Sequence, residues 1–248
     1  MSQTLKWLDE EIQRIAQSFN FVLNLFLTSK YNIQNSYIYP RRRRYQIFVF
    51  LSVVLINSLC IYRMFAVDIT DIYMKHLESN LLQLFAGFYF VTYLIGFTTL
   101  FILDLVHKNN YVLLILMIQT IHRDIDVSKS LRSFISWNWI STIAIIFINM
   151  FLCAIYYASS YYDYVIDVVF DNIFDFMYTT LDVNVIIATR LIILLNKYLH
   201  EWIKEILTMN DEHENDGKCR KQFEKYKSIL KAYDLYKNIF ASLVSSFV

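Results

Sequence analysis

The sequence predicts an all-α membrane protein of four transmembrane helices with cytosolic N- and C-termini. Three observations lead there. Hydrophobic residues fill 56% of the chain against 18% charged, a balance richer in apolar side chains than a soluble domain carries. Those residues run in continuous blocks near the ~20 needed to cross a bilayer as a helix, where a barrel strand would alternate. Gly (3) and Pro (1) are too scarce for a turn-rich β architecture.

Residues 1–44 form a cytosolic, amphipathic N-terminal segment. Leu5, Leu8, Ile12, Ile15, Phe19, Val22 and Phe26 recur at steps of three and four, one stripe of a helix. Packing under the helical bundle suits this stripe best, and Asp9, Glu10 and Glu11 argue against an anchor on anionic lipid. The same acids stand where a cleaved signal would need a basic stub and an apolar core, so Met1 is expected on the mature chain.

The transmembrane region spans 45–195, with helices at about 45–65, 81–103, 134–157 and 168–195. The second and third are uncharged; the fourth carries Asp175, Asp182 and Arg190. "YVLLILMIQTI" at 111–121 is too short to span and reads as an interfacial or buried link. Residues 196–248 form a cytosolic helical arm, and the uncharged run Ile239–Val248, about 15 Å of helix, reads as the start of an unfinished fifth helix.

Cations set the orientation. Lys6, Arg14, Lys30 and Arg41 to Arg44 precede the first helix; Lys108, Arg123, Lys129 and Arg132 lie between the second and third; nine more lie from Lys197 to Lys237. The two opposite loops hold only Lys75, with Arg63 at the rim. Net charge is +1 and carries no message about nucleic acid, so no nucleic-acid partner is expected. Trp137 and Trp139 mark the inner end of the third helix, and the tyrosines from Tyr156 to Tyr164 its outer end.

Enzyme chemistry finds no support. "IHRDID" at 121–126 is shaped like a kinase catalytic loop but lacks a Gly-rich loop, a VAIK lysine and a DFG. "EHENDG" at 212–217 starts like an EF-hand loop, yet Phe223 stands where a bidentate Glu is required. Cys60, Cys153 and Cys219 form no CxxC pair, and the five histidines no HExxH. Neither a metal nor another cofactor is expected.

Asp163, Asp167, Asp171 and Asp175 lie at four-residue steps on one helical face. Their mutual repulsion costs roughly 1 kcal/mol in total, close to what a helix N-terminus returns to the first one or two. A wet extension of the fourth helix and an outer vestibule attracting cations both fit. Asp182, nine residues into the stretch from Ile173, lies about 14 Å down, near the midplane. There it must face water, a partner or a cavity. A structural pair with a neighbouring helix and a place in a ligand pocket both remain open.

The basic cluster "RRRRYQIFVFL" entering the first helix, the long second helix running into a helical link, and the arm "YKSILKAYDLYKNIFASLVSSF" together resemble insect gustatory receptors. The likeness covers nearly the whole chain but about the first three fifths of such a receptor. It rests on diffuse patterns, and "LNLFLTS" stands where members often carry a GLxP-like stretch. It implies the first four helices of the seven-helix insect chemoreceptor fold, in which the arm leads toward a fifth helix. Members resemble ligand-gated cation channels of four subunits, with a pore on a seventh helix bearing a Thr-Tyr…Gln-Phe signature that this sequence does not contain.

The resemblance therefore implies taste chemoreception at the plasma membrane of a sensory neuron, by a partial receptor that does not conduct alone. Its partners would be membrane lipid, a small-molecule tastant, and like or unlike receptor subunits in an oligomer. The tastant would bind in the outward half of the helices, with Gln83 and Tyr89 on the second, Asn149 and Tyr156 on the third, and Asp175, Tyr178 and Asp182 on the fourth as candidate contacts. Such polar groups serve equally as packing contacts between helices. Two other functions fit the residues: a four-helix adaptor or accessory subunit without ligand sensing, and a transporter fragment using Asp182 for ion coupling.

Overall fold

A computed structural model describes residues 7–66, 80–159, 165–208 and 216–245. Lys75, Asp163, the outer tyrosines 161–164 and most of "EHENDG" lie outside the described residues. In chain order the elements are α1 (Glu10–Leu25), β1 (Tyr31–Gln34), β2 (Tyr37–Pro40), α2 (Arg43–Ala66), α3 (Asn80–Asp124), α4 (Ser128–Ser159), α5 (Val165–Leu207) and α6 (Asp216–Ser245).

Helix α1 forms on the expected stripe, and Leu8, Ile12, Ile15, Phe19, Val22 and Phe26 are all buried. It ends in a Schellman arrangement: the amide of Leu27 bonds the carbonyl of Asn24 at 3.2 Å, and that of Thr28 bonds the carbonyl of Leu23 at 2.8 Å. The αL position, usually glycine, is here Leu27 at φ 58°, a strained choice. It turns the chain sharply, so that Thr28, Ser29 and Lys30 point inward and are buried.

One amendment to the all-α expectation follows directly. Strands β1 and β2 pair antiparallel with Gln34 opposite Tyr37 and Ile33 opposite Ile38. Asn35 and Ser36 between them have φ 52° and 62°, the two positive angles of a type I′ turn. The hairpin is tied down by the Leu8 amide on the Ser36 carbonyl (2.7 Å) and by the Tyr31 hydroxyl donating to the Ala16 carbonyl (2.8 Å).

The link expected at 111–121 is no separate element, because α3 runs unbroken for 45 residues, about 68 Å. Its second half turns Tyr111, Leu114, Ile118 and Ile121 into the core. Likewise α5 passes residue 195 without a break and continues to Leu207. Helix α6 then folds back against α3 and α5, burying Ile229, Ala232, Ile239 and Phe240. Trp202 of α5 donates to the Gln222 carbonyl (3.0 Å) and stacks on Tyr226 at 5.0 Å, beside the Lys225–Glu205 ion pair.

Among the described residues, four helical stretches are long and apolar enough to cross a membrane: Arg43–Tyr62, Leu94–Asp124, Leu131–Leu152 and Thr179–Leu207. Their burial is uneven. The fourth is central, 56% buried, whereas the third is 6% buried and shows Ile143, Phe147, Met150 and Phe151 at the surface. The largest core lies at the end of the molecule where α1, the hairpin and α6 meet α3 and α5. A smaller one joins α2 to α3 through Val49, Val53, Cys60 and Phe97.

Candidate functional site

The strained turn after α1 builds the site. Ser29 donates to Asn20 Oδ1 (2.7 Å) and accepts from Arg41 Nε (2.9 Å), while the other arm of Arg41 bonds Asn24. Arg41 also covers the ring of Tyr45, 4.5 Å from its centroid. The start of α2 is thereby fixed to the end of α1 through neutral partners, and no carboxylate among the described residues pairs with the guanidinium.

Next in sequence, Lys30 is 3% exposed and forms an ion pair with Asp104 of α3. The Tyr111 hydroxyl hydrogen-bonds the same carboxylate, and its ring lies 5.1 Å beneath the ammonium. Burial lowers the pKa of Lys30, and the Asp104 charge works against that shift. Either charge alone would be costly here, so each requires the other.

This pair forms the floor of a cleft between α2 and α3. Above it the cleft is polar, with Arg41, Gln46 and Lys108 at the rim; along the helices it is apolar, with Val53, Ile56, Phe97 and Phe101. It holds about 40 Å³, room for ~3 waters. Its polar end carries three cations, Lys30, Arg41 and Lys108, against one carboxylate, Asp104. Lys108 has no acidic partner among the described residues. The Tyr45 hydroxyl is buried near the Ser29 backbone without completing a hydrogen bond. On the far side of Lys30 a second cavity of about 20 Å³ touches Tyr111, Asn184 and Phe240.

Two of the residues predicted from sequence have described side chains. Asp182 lies exposed on α5, and no hydrogen bond or ion pair joins it to a described residue; Asn149 is partly buried on α4. Neither lines the two cavities just described. Gln83 and Tyr89 on α3, Tyr156 on α4, and Asp175 and Tyr178 on α5 have side chains outside the described residues. Arg190 reaches across to Ser141 of α4. The "IHRDID" arginine is structural: Arg123 donates through Nε and Nη2 to Asp9, at 2.7 and 2.9 Å. No group of three metal-ligating side chains occurs among the described residues.

The Lys30–Asp104 site escaped sequence reading. The available signal was an acid closing the long apolar run before it and a lysine closing "LNLFLTSK", but nothing local links the two. No family model, curated protein or solved structure matches the chain.

Proposed function

We propose that the chain is a chemoreceptor subunit similar to insect gustatory receptors, sitting in the plasma membrane of a sensory neuron with both ends in the cytosol. Its four helices would hold a small tastant toward their outer ends, and it would work in an oligomer with like or unlike subunits.

The observation that carries this reading is the cationic entry to α2 set beside the middle of α3. The cleft sets Arg41 and Tyr45, where α2 begins, beside Asp104 and Lys108 of α3. Trp139 of α4 meets Phe21 of α1 at 5.7 Å, while Lys197 of α5, over the Phe134 ring at 5.2 Å, lies further along the helices, where Tyr198 meets His122. Cations clustered where an apolar helix begins mark a membrane boundary. With that boundary near residue 104, α3 has 25 residues from Asn80 to cross with, about 37 Å, and some 30 Å left to extend into the cytosol. The packed layer of α1, hairpin, α6 and the inner halves of α3 and α5 then supports the spans from below. The exposed apolar walls of α2 and α4 suit lipid and neighbouring subunits.

A specific observation favours the adaptor as second reading. Phe223, Tyr226, Leu230 and Tyr233 form an exposed row on α6, a surface suited to a protein partner. One experiment addresses both. Cysteines at Ser2, Leu77 and Val248 are labelled with an impermeant maleimide in intact cells, and the purified chain is then melted with a panel of sugars and bitter compounds. The receptor reading expects labelling at residue 77 alone and a rise in Tm with at least one compound. Labelling at Ser2 with silence at 77 overturns the topology; correct topology with no thermal response to any compound favours the adaptor.

A further inference from the structure

The geometry points to a binding site for one anionic phospholipid of the cytosolic leaflet in the α2–α3 cleft, its phosphate between Arg41 and Lys108 and one acyl chain along α2 and α3. This goes beyond tastant sensing and rests on the membrane placement proposed above.

Charge argues first. Lys30 and Asp104 cancel at the floor, leaving Arg41 and Lys108 as two cations without an acidic partner among the described residues. Two uncompensated cations on one rim attract an anion. The start of α2 at Arg43 adds the partial positive charge of a helix N-terminus at the same end. Arg42, Arg43 and Arg44 are exposed beside it, which raises the local concentration of anionic lipid.

Shape then separates a lipid from a soluble phosphate. The polar rim passes without interruption into an apolar trough of Val53, Ile56, Phe97 and Phe101, flanked by the exposed Phe50 and Val54 of α2. A free phosphate would use the rim and leave the trough empty. A phospholipid whose headgroup lies at the boundary has an acyl chain at the depth of the trough. Gln46, at the junction, offers an amide donor to the glycerol ester region.

The test uses the full chain in nanodiscs of phosphatidylcholine with a minor fraction of phosphatidylinositol 4-phosphate bearing a diazirine in one acyl chain. Insertion is scored first, by co-elution with the disc, so that failure of the membrane placement registers separately and overturns the inference with it. After insertion, native mass spectrometry is expected to retain one anionic lipid per chain, and crosslinks are expected in peptides covering 49–56 and 97–101. Lys108→Gln should cut retention ~5-fold, as loss of one cation at the surface does, while Lys231→Gln on exposed α6 should not. Insertion without retained lipid, equal loss from both variants, or crosslinks scattered over α4 would overturn the site. So would full competition by soluble glycerophosphoinositol 4-phosphate, which would assign the rim to a free phosphate.

Discussion

Lys30 and Asp104, 74 positions apart, form a buried ion pair that ties the turn after α1 to the middle of α3. The pair sits where the strained Leu27 turn, the first residues of α2 and the extended second half of α3 converge. It is one of the ties that seat α1 and the hairpin on the bundle, beside the apolar core that Ile12, Phe19 and Tyr31 share with α3 and α5.

Removing one member strands a buried charge, and removing both does not. Lys30→Met or Asp104→Leu alone should destabilise by about 3–5 kcal/mol, and the double variant should recover most of that loss. Thermal melts in detergent of the four proteins give the coupling directly. A loss in the double equal to the sum of the two single losses would mean that the pair contributes nothing as a pair.

Arg123 and Asp9 form the corresponding tie at the other end of α1. Asp9 is the N-cap of α1, yet its carboxylate makes no capping bond because Arg123 takes both oxygens. The guanidinium lowers the pKa of Asp9 below its usual 3.8. A depressed carboxyl pKa stabilises the fold above the unfolded value, and this contribution is lost as pH falls through the folded one. Asp9→Asn should cost about 0.5–1 kcal/mol at neutral pH, a modest sum because Arg123 is half exposed. The difference between the two proteins should shrink once pH drops below the usual carboxylate range, measured by melts across an acid series.

Asn138 is 2% exposed on α4, and neither its amide nitrogen nor its oxygen has a hydrogen-bond partner in the structure. An orphaned amide costs about 1–3 kcal/mol. Asn138→Leu, close in volume, should raise Tm, and chemical denaturation should place the gain in that range. A fall in Tm would show that the amide has a partner supplied by water or by another chain.

The helices were legible because apolar runs and the three-and-four stripe of α1 are local signals. The hairpin was not: its strands are four residues each, and its turn is Asn-Ser, which gives a weaker signal than Asn-Gly. The docking of α6 was illegible for another reason. Ile229, Ala232 and Phe240 mark an apolar face, but such a face fits a free arm, a partner or the same chain equally well. Ion pairs across the fold, Lys30 with Asp104 and Asp9 with Arg123, leave no periodic trace at all. Only the closing of α3 over α1 brings them together.

Asp182 is the residue on which sequence and structure bear most directly together. It lies on a helix apolar enough to span a membrane, it is exposed, and no described residue partners it. On the same face Val185 and Thr189 are also exposed, a stripe of modest side chains that permits close approach of another helix. Leu181 packs against Leu100, so Asp182 lies near the boundary set at residue 104, where a carboxylate facing lipid costs less than the about 2.5–3.5 kcal/mol of the midplane; the expected complement is a polar or cationic group of a second subunit. Asp182→Leu should then lower the oligomer fraction by about tenfold or more while leaving the melting of the isolated chain unchanged or slightly raised, with Asp182→Asn intermediate. Light scattering of the purified variants at matched detergent measures the first quantity, and melts at high dilution the second. If Asp182→Leu assembles as well as the native chain, the carboxylate meets water, and the interface lies on α2 or α4 instead.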